Sequence, residues 1–485
     1  MPRFVCLLLL IVMLVMAAQG SSPRTASPQN PAVTFNKDVL PILQKNCQQC
    51  HRPGEVAPMS FLTYESTRPW ARAIKEATVG KKMPPWFADP RYGDFRNDPR
   101  LKEQEIKTLA AWADNGALEG DVKDRPASVA WAEGWRVQPD VIISMPEAHK
   151  VPAKGSGEIE SYLVPNPFKE DTWVNSIEIR PGSPSVVHHA MVQVPEETPG
   201  PAFSWGGVSG AACLPSGTAS FMESPVAVAQ PNKTGQPAVK PPKNFAILEA
   251  VYVPGSPVTD FQFEGSAKMI RGGGNLRIEV HYTPNGKAVS DQTRIGFSLA
   301  KSAPTRRFVT LAPKSLANVR RRIPAGAENY ETRGELEFGQ DAQLVWLMPH
   351  MHLRGKDMTF NLVFPNGTSE TVLRADFNFN WQLGYEFEAP IRVRKGTRMV
   401  IVAHHDNSIN NRFNPDPSKE VSWGNLTSEE MVLPWFGVIV DKNTDPERIL
   451  AVRQGGCSVA ATVLPLIPGV APKPPIPIPT LPKGK

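Results

Sequence analysis

The spacing of apolar residues divides the chain into a helical region and a longer region of strands. In residues 101–116 apolar side chains recur at helical spacing, and Gly116 can end that helix. The stripe consists of Leu101, Ile106, Leu109, Ala110 and Trp112. From about residue 138 onward, short apolar runs alternate with Gly, Pro and Asn, which is typical of strands and turns. The pattern predicts a small all-α domain at residues 33–122, followed by all-β domains.

The strand-like runs fall into two sets, which predict two β-sandwich domains at residues 138–300 and 301–460. The first set lies at residues 140–145, 173–179, 186–194, 245–253, 276–282 and 293–299. The second set lies at residues 307–311, 344–353, 358–364, 371–375, 385–393, 399–404 and 431–440. Residues 195–244, rich in Pro, Gly, Ser and Ala, are predicted to form a long loop, and the Pro-rich residues 461–485 a tail without its own core.

Length and charge limit the classes of protein to consider. A chain of 485 residues predicts about three domains, and its 50 prolines disfavour long helices. The formal net charge is +6, but the Lys and Arg residues are scattered along the chain without clusters. We therefore predict no nucleic-acid-binding face.

The first 20 residues have the pattern of a secretory signal peptide. Arg3 precedes an apolar run at residues 4–17, and residues 18–20 fit a small-x-small cleavage site. The apolar run is short for a membrane span, so we expect a periplasmic or secreted protein, with an uncleaved anchor as the alternative. In an oxidising compartment Cys213 and Cys457 could form a disulfide, and the sequence leaves that pairing open.

A Cys-Gln-Gln-Cys-His motif at residues 47–51 has the spacing that attaches c-type haem. The thiols of Cys47 and Cys50 would add to the haem vinyl groups, and His51 would bind the iron. A redox-active or zinc-binding Cys pair is the alternative. Met83, in a Met-Pro-Pro loop before the helix at 101–116, is the candidate second iron ligand, with Met59 as the runner-up. Residues 33–122 resemble a small class I cytochrome c domain at these motifs.

A second pair of candidate ligands, His350 and His352, lies in the strand-like run at 347–356. Alternate residues of a strand share a face, so two imidazoles at this spacing can bind one metal. The alternative is a pair of structural histidines. Met431, at the start of a later strand, supplies a thioether, and two imidazoles with a thioether favour copper over zinc. Core packing is the alternative role for Met431.

Three further histidines are candidate ligands for copper or zinc: His188, His189 and His281. Consecutive residues of a regular strand face opposite ways, so His188 and His189 reach one metal only if the strand bulges there. His149 is expected to be an exposed loop residue without a role. His404 and His405 are expected to have structural roles at a strand end, with auxiliary metal contact as the alternative.

With these histidines and Met431 as candidate ligands, the segment 138–455 resembles the copper type II, ascorbate-dependent monooxygenases. This is the family of peptidylglycine α-hydroxylating and dopamine β-monooxygenase. The resemblance implies two jelly-roll sandwiches, each with one copper, separated by a solvent-filled cleft. It implies an electron-donating copper at the first set, which is His188, His189 and His281. It implies an oxygen-activating copper at the second set, which is His350, His352 and Met431.

The sequence departs from the family pattern at three positions. Ala190, and not Met, follows the His pair, and Val432 replaces a cysteine after Met431. Met348 occupies the position of the arginine that holds a peptide carboxylate, which argues against a peptidyl-glycine substrate.

The sequence therefore predicts a secreted copper monooxygenase that uses O2 to hydroxylate an activated C–H bond. Its substrate would be a small molecule or peptide-like, and its electrons would come from ascorbate, the fused haem, or both. One alternative is a non-catalytic electron-transfer protein that carries haem and copper. Another is that the histidines hold structural zinc.

Overall fold

The structure is a computed structural model that describes residues 32–131, 134–155, 157–194, 245–247, 249–255, 258–313, 322–424 and 426–451. The predicted signal peptide, the loop at 195–244, Cys213, Cys457 and the tail at 461–485 lie outside these residues. The chain groups into two compact units. One contains the residues up to Pro85 together with Pro99–Ala130, and the other contains Trp86–Asp98 and the chain from Trp131 onward.

The first unit is helical in its regular elements. Its helices are α1 (Leu40–Asn46), α2 (Tyr64–Thr67), α3 (Ala71–Val79) and α4 (Glu103–Asp114), with a π turn at Phe35–Val39 before α1 and 3-10 turns at Arg68–Trp70 and Val122–Asp124. Helix α4 is the helix predicted at 101–116. Of its predicted stripe, Leu109 and Trp112 are fully buried, and they pack with Phe35 and Leu43 in the core of this unit. Gly116 has φ +86°, a conformation that favours glycine and ends the helix.

The second unit is built of strands, which confirms the prediction that this part of the chain is all-β in architecture. Its strands are β1 (Val141–Ser144), β2 (His149–Val151), β3 (Glu158–Pro165), β4 (Thr172–Arg180), β5 (Val187–Gln193), β6 (Phe245–Ile247), β7 (Ala250–Tyr252), β8 (Val258–Asp260), β9 (Ser266–Ile270), β10 (Asn275–Tyr282), β11 (Val289–Asp291), β12 (Arg294–Leu299), β13 (Arg306–Pro313), β14 (Tyr330–Glu337), β15 (Ala342–Met351), β16 (Gly355–Val363), β17 (Ser369–Asp376), β18 (Tyr385–Val393), β19 (Arg398–His405) and β20 (Val432–Asp441). A 3-10 turn follows at Pro446–Arg448.

A central sheet runs in the order β1-β12-β4-β9-β13-β20-β15-β18, with β6 beside β13 and β8 beside β4. Two four-stranded sheets have the orders β3-β10-β5-β7 and β14-β19-β16-β17, and β2 pairs with β11. The central sheet continues without a break across the boundary predicted near residue 300, because β9 and β13 pair in parallel, with Arg306 opposite Ser266.

Strands β15 and β20 contribute side chains to two hydrophobic cores. Trp346 and Met348 of β15, with Leu433 and Trp435 of β20, pack in the core built by the first half of the unit. Other residues of the same two strands face the opposite side and pack in the core of the second half: Leu347 and Met351 of β15, and Val432 and Phe436 of β20. Strands buried on both faces explain the continuous apolar runs in this part of the sequence.

A segment from inside the predicted haem domain, Trp86–Asp98, groups with the strands. Its backbone bonds to the second half of the β unit, with Asp89 N donating to Arg374 O at 2.8 Å and Arg96 N donating to Glu386 O at 2.9 Å. Trp86 packs edge-on against Tyr385, with ring centroids 4.8 Å apart. We call Trp86–Asp98 the strap.

In the part of the chain that the structure describes, no helix is both long enough and apolar enough to cross a membrane.

Candidate metal centre

Strand β15 brings His350 to the face that looks into the first core. His350 lies two and four residues after Met348 and Trp346, so all three share that face. In the antiparallel pair of β15 and β20, His350 lies opposite Leu433, which places the end of β15 beside the start of β20. Met431 therefore comes to the same cavity as His350 and His352. The structure brings the second set together, as the sequence analysis requires.

Hydrogen bonds leave one ring nitrogen available on each histidine of the second set. His350 Nδ1 donates to Gln382 Oε1 at 2.5 Å, and His352 Nδ1 donates to the Glu429 carbonyl at 3.2 Å. Each ring is therefore held as the tautomer whose Nε2 carries the lone pair. Burial lowers the pKa of His350 to about 3 and that of His352 well below its usual value. Both rings are neutral at pH 7, as metal ligands must be.

Glu430 ties the loop after β15 to the residue next to Met431. Its side chain is fully buried, and its carboxyl oxygens accept the N–H groups of His352 at 3.2 Å and Arg354 at 2.6 Å. Burial raises the pKa of Glu430 to about 8, although the backbone hydrogen bonds and Arg354 oppose that shift. Glu430 thus fixes the loop against the start of β20.

His404 and His405 are the last two residues of β19, which ends beside this loop. His404 Nδ1 lies 2.8 Å from Asp357 Oδ1, and this hydrogen bond raises the pKa of His404. His405 is fully buried with its Nε2 3.7 Å from Glu430, and burial lowers its pKa to about 4. The hydrogen bond of His404 fits the structural role at a strand end. Both ring nitrogens of His405 are buried without a hydrogen-bond partner, so its role stays a prediction.

The strand β5 has the bulge that the first set requires. Its pairing with β10 shifts register between His281 and Tyr282, so that His281 faces His189 while Tyr282 faces Val187, leaving His188 as the extra residue. His188 Nδ1 and His189 Nδ1 lie 2.9 Å apart. Two nitrogens bound at right angles to one metal, each at about 2.0–2.1 Å, would stand at about this separation.

The third member of the first set, His281, lies directly against His189, with ring centroids 3.8 Å apart. Its Nε2 bonds to Glu279 Oε1 at 2.9 Å, and its Nδ1 is buried with no hydrogen-bond partner. An unpartnered buried nitrogen is costly, and binding a metal would satisfy it. Burial lowers the pKa of His188 to about 4 and that of His189 well below its usual value, so both are neutral at pH 7.

His189 and His281 of the first set and all three members of the second set border one cavity of about 130 Å³. The ring centroids of His189 and His350 are 5.4 Å apart. The expected arrangement of two centres across a solvent-filled cleft is therefore not what this structure shows. The reason is the burial of β15 on both faces, which points His350 into the core that holds His189. The cavity is lined by Ile159, His189, Met191, Val251, Val253, Glu279, His281, Met348, His350, His352, Gln382, Met431, Leu433 and Trp435.

Neither set forms a closed coordination sphere of three histidine, cysteine or acidic donors. Among the described residues, the group whose donor atoms all lie within 4.8 Å of one another is His149, Glu158 and Glu160. In the first set the His281 ring is tilted by 36° against the His189 ring, so its unpartnered Nδ1 must rotate to join the other two. The expectation for His149 was wrong: it lies in β2, half-buried, with Nε2 2.8 Å from Glu158 Oε1 and its ring stacked on Tyr282.

The Cys-Gln-Gln-Cys-His motif at residues 47–51 lies at the end of α1 in the first unit. Cys47 follows the helix, and burial raises the pKa of its thiol to about 12. His51 stacks on Phe61 with centroids 4.3 Å apart, and its Nδ1 is buried without a partner. Met59 packs against the same core as Cys47, whereas Met83 follows α3 with its N–H bonded to Ala77 O at 3.2 Å. These thiols and this imidazole fit covalent haem by their chemistry.

Several residues at the cavity were not found from the sequence. Glu279 could have been found, because it lies two positions before His281 and so shares its strand face. Gln382 and the Phe379 carbonyl come from the loop between β17 and β18, and no motif marks them.

Comparisons with known proteins add no family. No protein-family model and no curated protein matches the chain. A solved structure of the T13 viral particle of infectious bursal disease virus (IBDV) has 8% identity and a TM-score of 0.17, with 65% of this chain and 73% of that chain covered. A VP2 subviral particle of the same virus has 9% identity and a TM-score of 0.17, with 64% and 76% covered. Scores this low carry no argument about fold or function.

Proposed function

We propose that this protein is a copper-dependent monooxygenase that uses O2 to insert one oxygen atom into a C–H bond of a small substrate. The observation that carries the proposal is the meeting of four imidazoles and the Met431 thioether at one buried cavity. Imidazole suits several metals, but a thioether among the donors favours copper, because it stabilises Cu(I). Copper, when bound, would supply one-electron redox chemistry and activation of O2.

The protein's own residues would prepare this chemistry in three ways. Gln382 and Glu429 fix the orientation of the His350 and His352 rings through the hydrogen bonds described above. Burial lowers the pKa of His188, His189, His350 and His352, which keeps these four rings unprotonated at pH 7. The apolar lining, which includes Leu433 and Trp435, excludes water from the site of C–H cleavage.

The lining also limits the substrate. None of the described residues that line the cavity is Lys or Arg, so nothing there would pair with a carboxylate. Met348, at the position of the family's carboxylate-binding arginine, is one of these lining residues. The cavity therefore favours a small substrate that presents an apolar C–H group.

The proposal includes a role for the first unit. Haem attached at Cys47 and Cys50 and bound by His51 would supply electrons in place of ascorbate or beside it, with Met83 as the candidate second ligand. A donor on the same chain has a high effective concentration, which favours transfer within the molecule. A periplasmic or secreted location, where haem of this type and copper are loaded, belongs to the same proposal.

The test is to purify the protein, load it with copper, reduce it and follow O2 uptake with a panel of small C–H substrates. O2 uptake coupled to a hydroxylated product supports the proposal. Reversible haem reduction without substrate-dependent uptake would instead favour an electron carrier, and zinc in place of copper on elemental analysis would favour a structural site.

A further inference from the structure

The loop between β17 and β18 contacts both histidine sets. Its Phe379 carbonyl oxygen accepts a hydrogen bond from His188 Nε2 at 2.7 Å. The Phe379 ring also stacks on the His188 ring, with centroids 4.0 Å apart and planes 17° from parallel. Phe379, in the second half of the β unit, thus contacts His188 of the first set through both its carbonyl oxygen and its ring.

The same carbonyl accepts a second hydrogen bond, from the Gln382 side chain. Gln382 Nε2 donates to Phe379 O at 3.3 Å, and Gln382 Oε1 accepts from His350 Nδ1 at 2.5 Å. Gln382 is 2% exposed, so water does not compete for these bonds. The result is a continuous hydrogen-bonded path from His188 through Phe379 and Gln382 to His350.

We propose that the Phe379 carbonyl and the Gln382 carboxamide form a bridge that couples the two histidine sets. The proposal rests on the proposed function for its redox part, and its structural part stands without copper. Gln382 is a positioning residue, since it acts through the two imidazoles.

Two properties of the carboxamide suit this role. It offers an acceptor and a donor at opposite corners, so one side chain can bond His350 and the Phe379 carbonyl at once. The bond to His350 selects the ring tautomer whose Nε2 carries the lone pair. The bond from His188 to Phe379 selects the tautomer whose Nδ1 carries the lone pair, and this Nδ1 lies 2.9 Å from His189 Nδ1. The bridge therefore presents a lone pair from each set at the same time.

The bridge also provides a bonded route for one electron. With copper bound, His188 would hold an ion of the first set and His350 an ion of the second, and the bridge would join these two residues. The one-electron chemistry would be supplied by copper and its electrons by ascorbate or haem, and no bond of the bridge would form or break.

The first test uses metal-free protein and nitrogen-15 NMR of the histidine rings. We expect His350 as the Nδ1–H tautomer and His188 as the Nε2–H tautomer. Gln382→Leu should abolish the preference at His350 and shift the His188 ring signals, because the Phe379 carbonyl loses its second donor. Gln382→Glu keeps an acceptor and should restore the His350 tautomer. Gln340→Leu, in the turn before β15, is the matched control and should change neither ring. Unchanged His350 and His188 signals in Gln382→Leu would overturn the bridge.

The second test uses copper-loaded protein. Loss of a residue that orients a ligand typically lowers metal affinity about 10- to 100-fold, and we expect that loss at the second set in Gln382→Leu. Electron transfer between the coppers, followed by rapid-freeze electron paramagnetic resonance, should slow in both Gln382 variants. Transfer at the parent rate in both would refute the route. If the parent protein makes no product although the tautomers are as expected, the proposed function fails and the bridge stands.

Discussion

Replacing Met431 with isoleucine separates the stability of the fold from the proposed chemistry. The Met431 side chain is 6% exposed and packs in the first core. Burying a methionine stabilises a protein by about 1.5–3 kcal/mol, and isoleucine has a similar volume, so we expect Met431→Ile to cost less than about 1.5 kcal/mol of unfolding free energy. Met431→Ala would leave a cavity and should cost about 2–5 kcal/mol.

Met431→Ile should have a small effect on stability and a large effect on copper binding and product formation. Because isoleucine has no sulfur, Met431→Ile should lose one bound copper and all product formation while it stays folded. Urea denaturation, elemental analysis and substrate-coupled O2 uptake measure the three quantities. Met358→Ile is the matched control, since Met358 is fully buried in the second core and belongs to neither set. A folded Met431→Ile variant with full turnover would refute the assignment of the second set.

The remaining predictions concern three other parts of the molecule. The pKa of His405 falls from 6.5 to about 4 on folding, so between these values the folded state binds fewer protons than the unfolded state. The free energy of unfolding therefore has its full value above pH 6.5 and declines as the pH falls toward 4. His405→Gln should flatten that decline, by at most about 3 kcal/mol, in urea titrations of metal-free protein across this range. Trp86→Ala should destabilise the β unit by about 2 kcal/mol, which is less than the loss of a fully buried tryptophan, because Trp86 is only partly buried. Chemical denaturation measures this loss, and an unchanged midpoint would show that the strap contributes nothing to stability. Met83→Leu should remove the charge-transfer band of a methionine-ligated haem and Met59→Leu should not; the reverse result would make Met59 the iron ligand.

The sequence predicted the elements of the site better than their arrangement. His350 and His352 were identified because alternate residues of a strand share a face, although β15 ends at Met351 and His352 follows it in the loop. The bulge at His188 followed from requiring two consecutive ligands on one side. The shared cavity could not be predicted, because it depends on β9 pairing with β13 and on burial of β15 from both faces, which are long-range features. The strap is another long-range feature, since its residues 86–98 lie inside the predicted all-α domain at 33–122 yet bond to β17 and β18.

The unbroken central sheet restricts how a small molecule can reach the cavity. Hinged opening between the halves of the β unit would have to break the ladder between β9 and β13 and strip β20 from one of its two cores. Both cost far more than thermal motion supplies. Traffic to the cavity must therefore pass by rearrangement of the loops at its rim, and mutations that tune access should cluster there, away from the strands that carry the ligands.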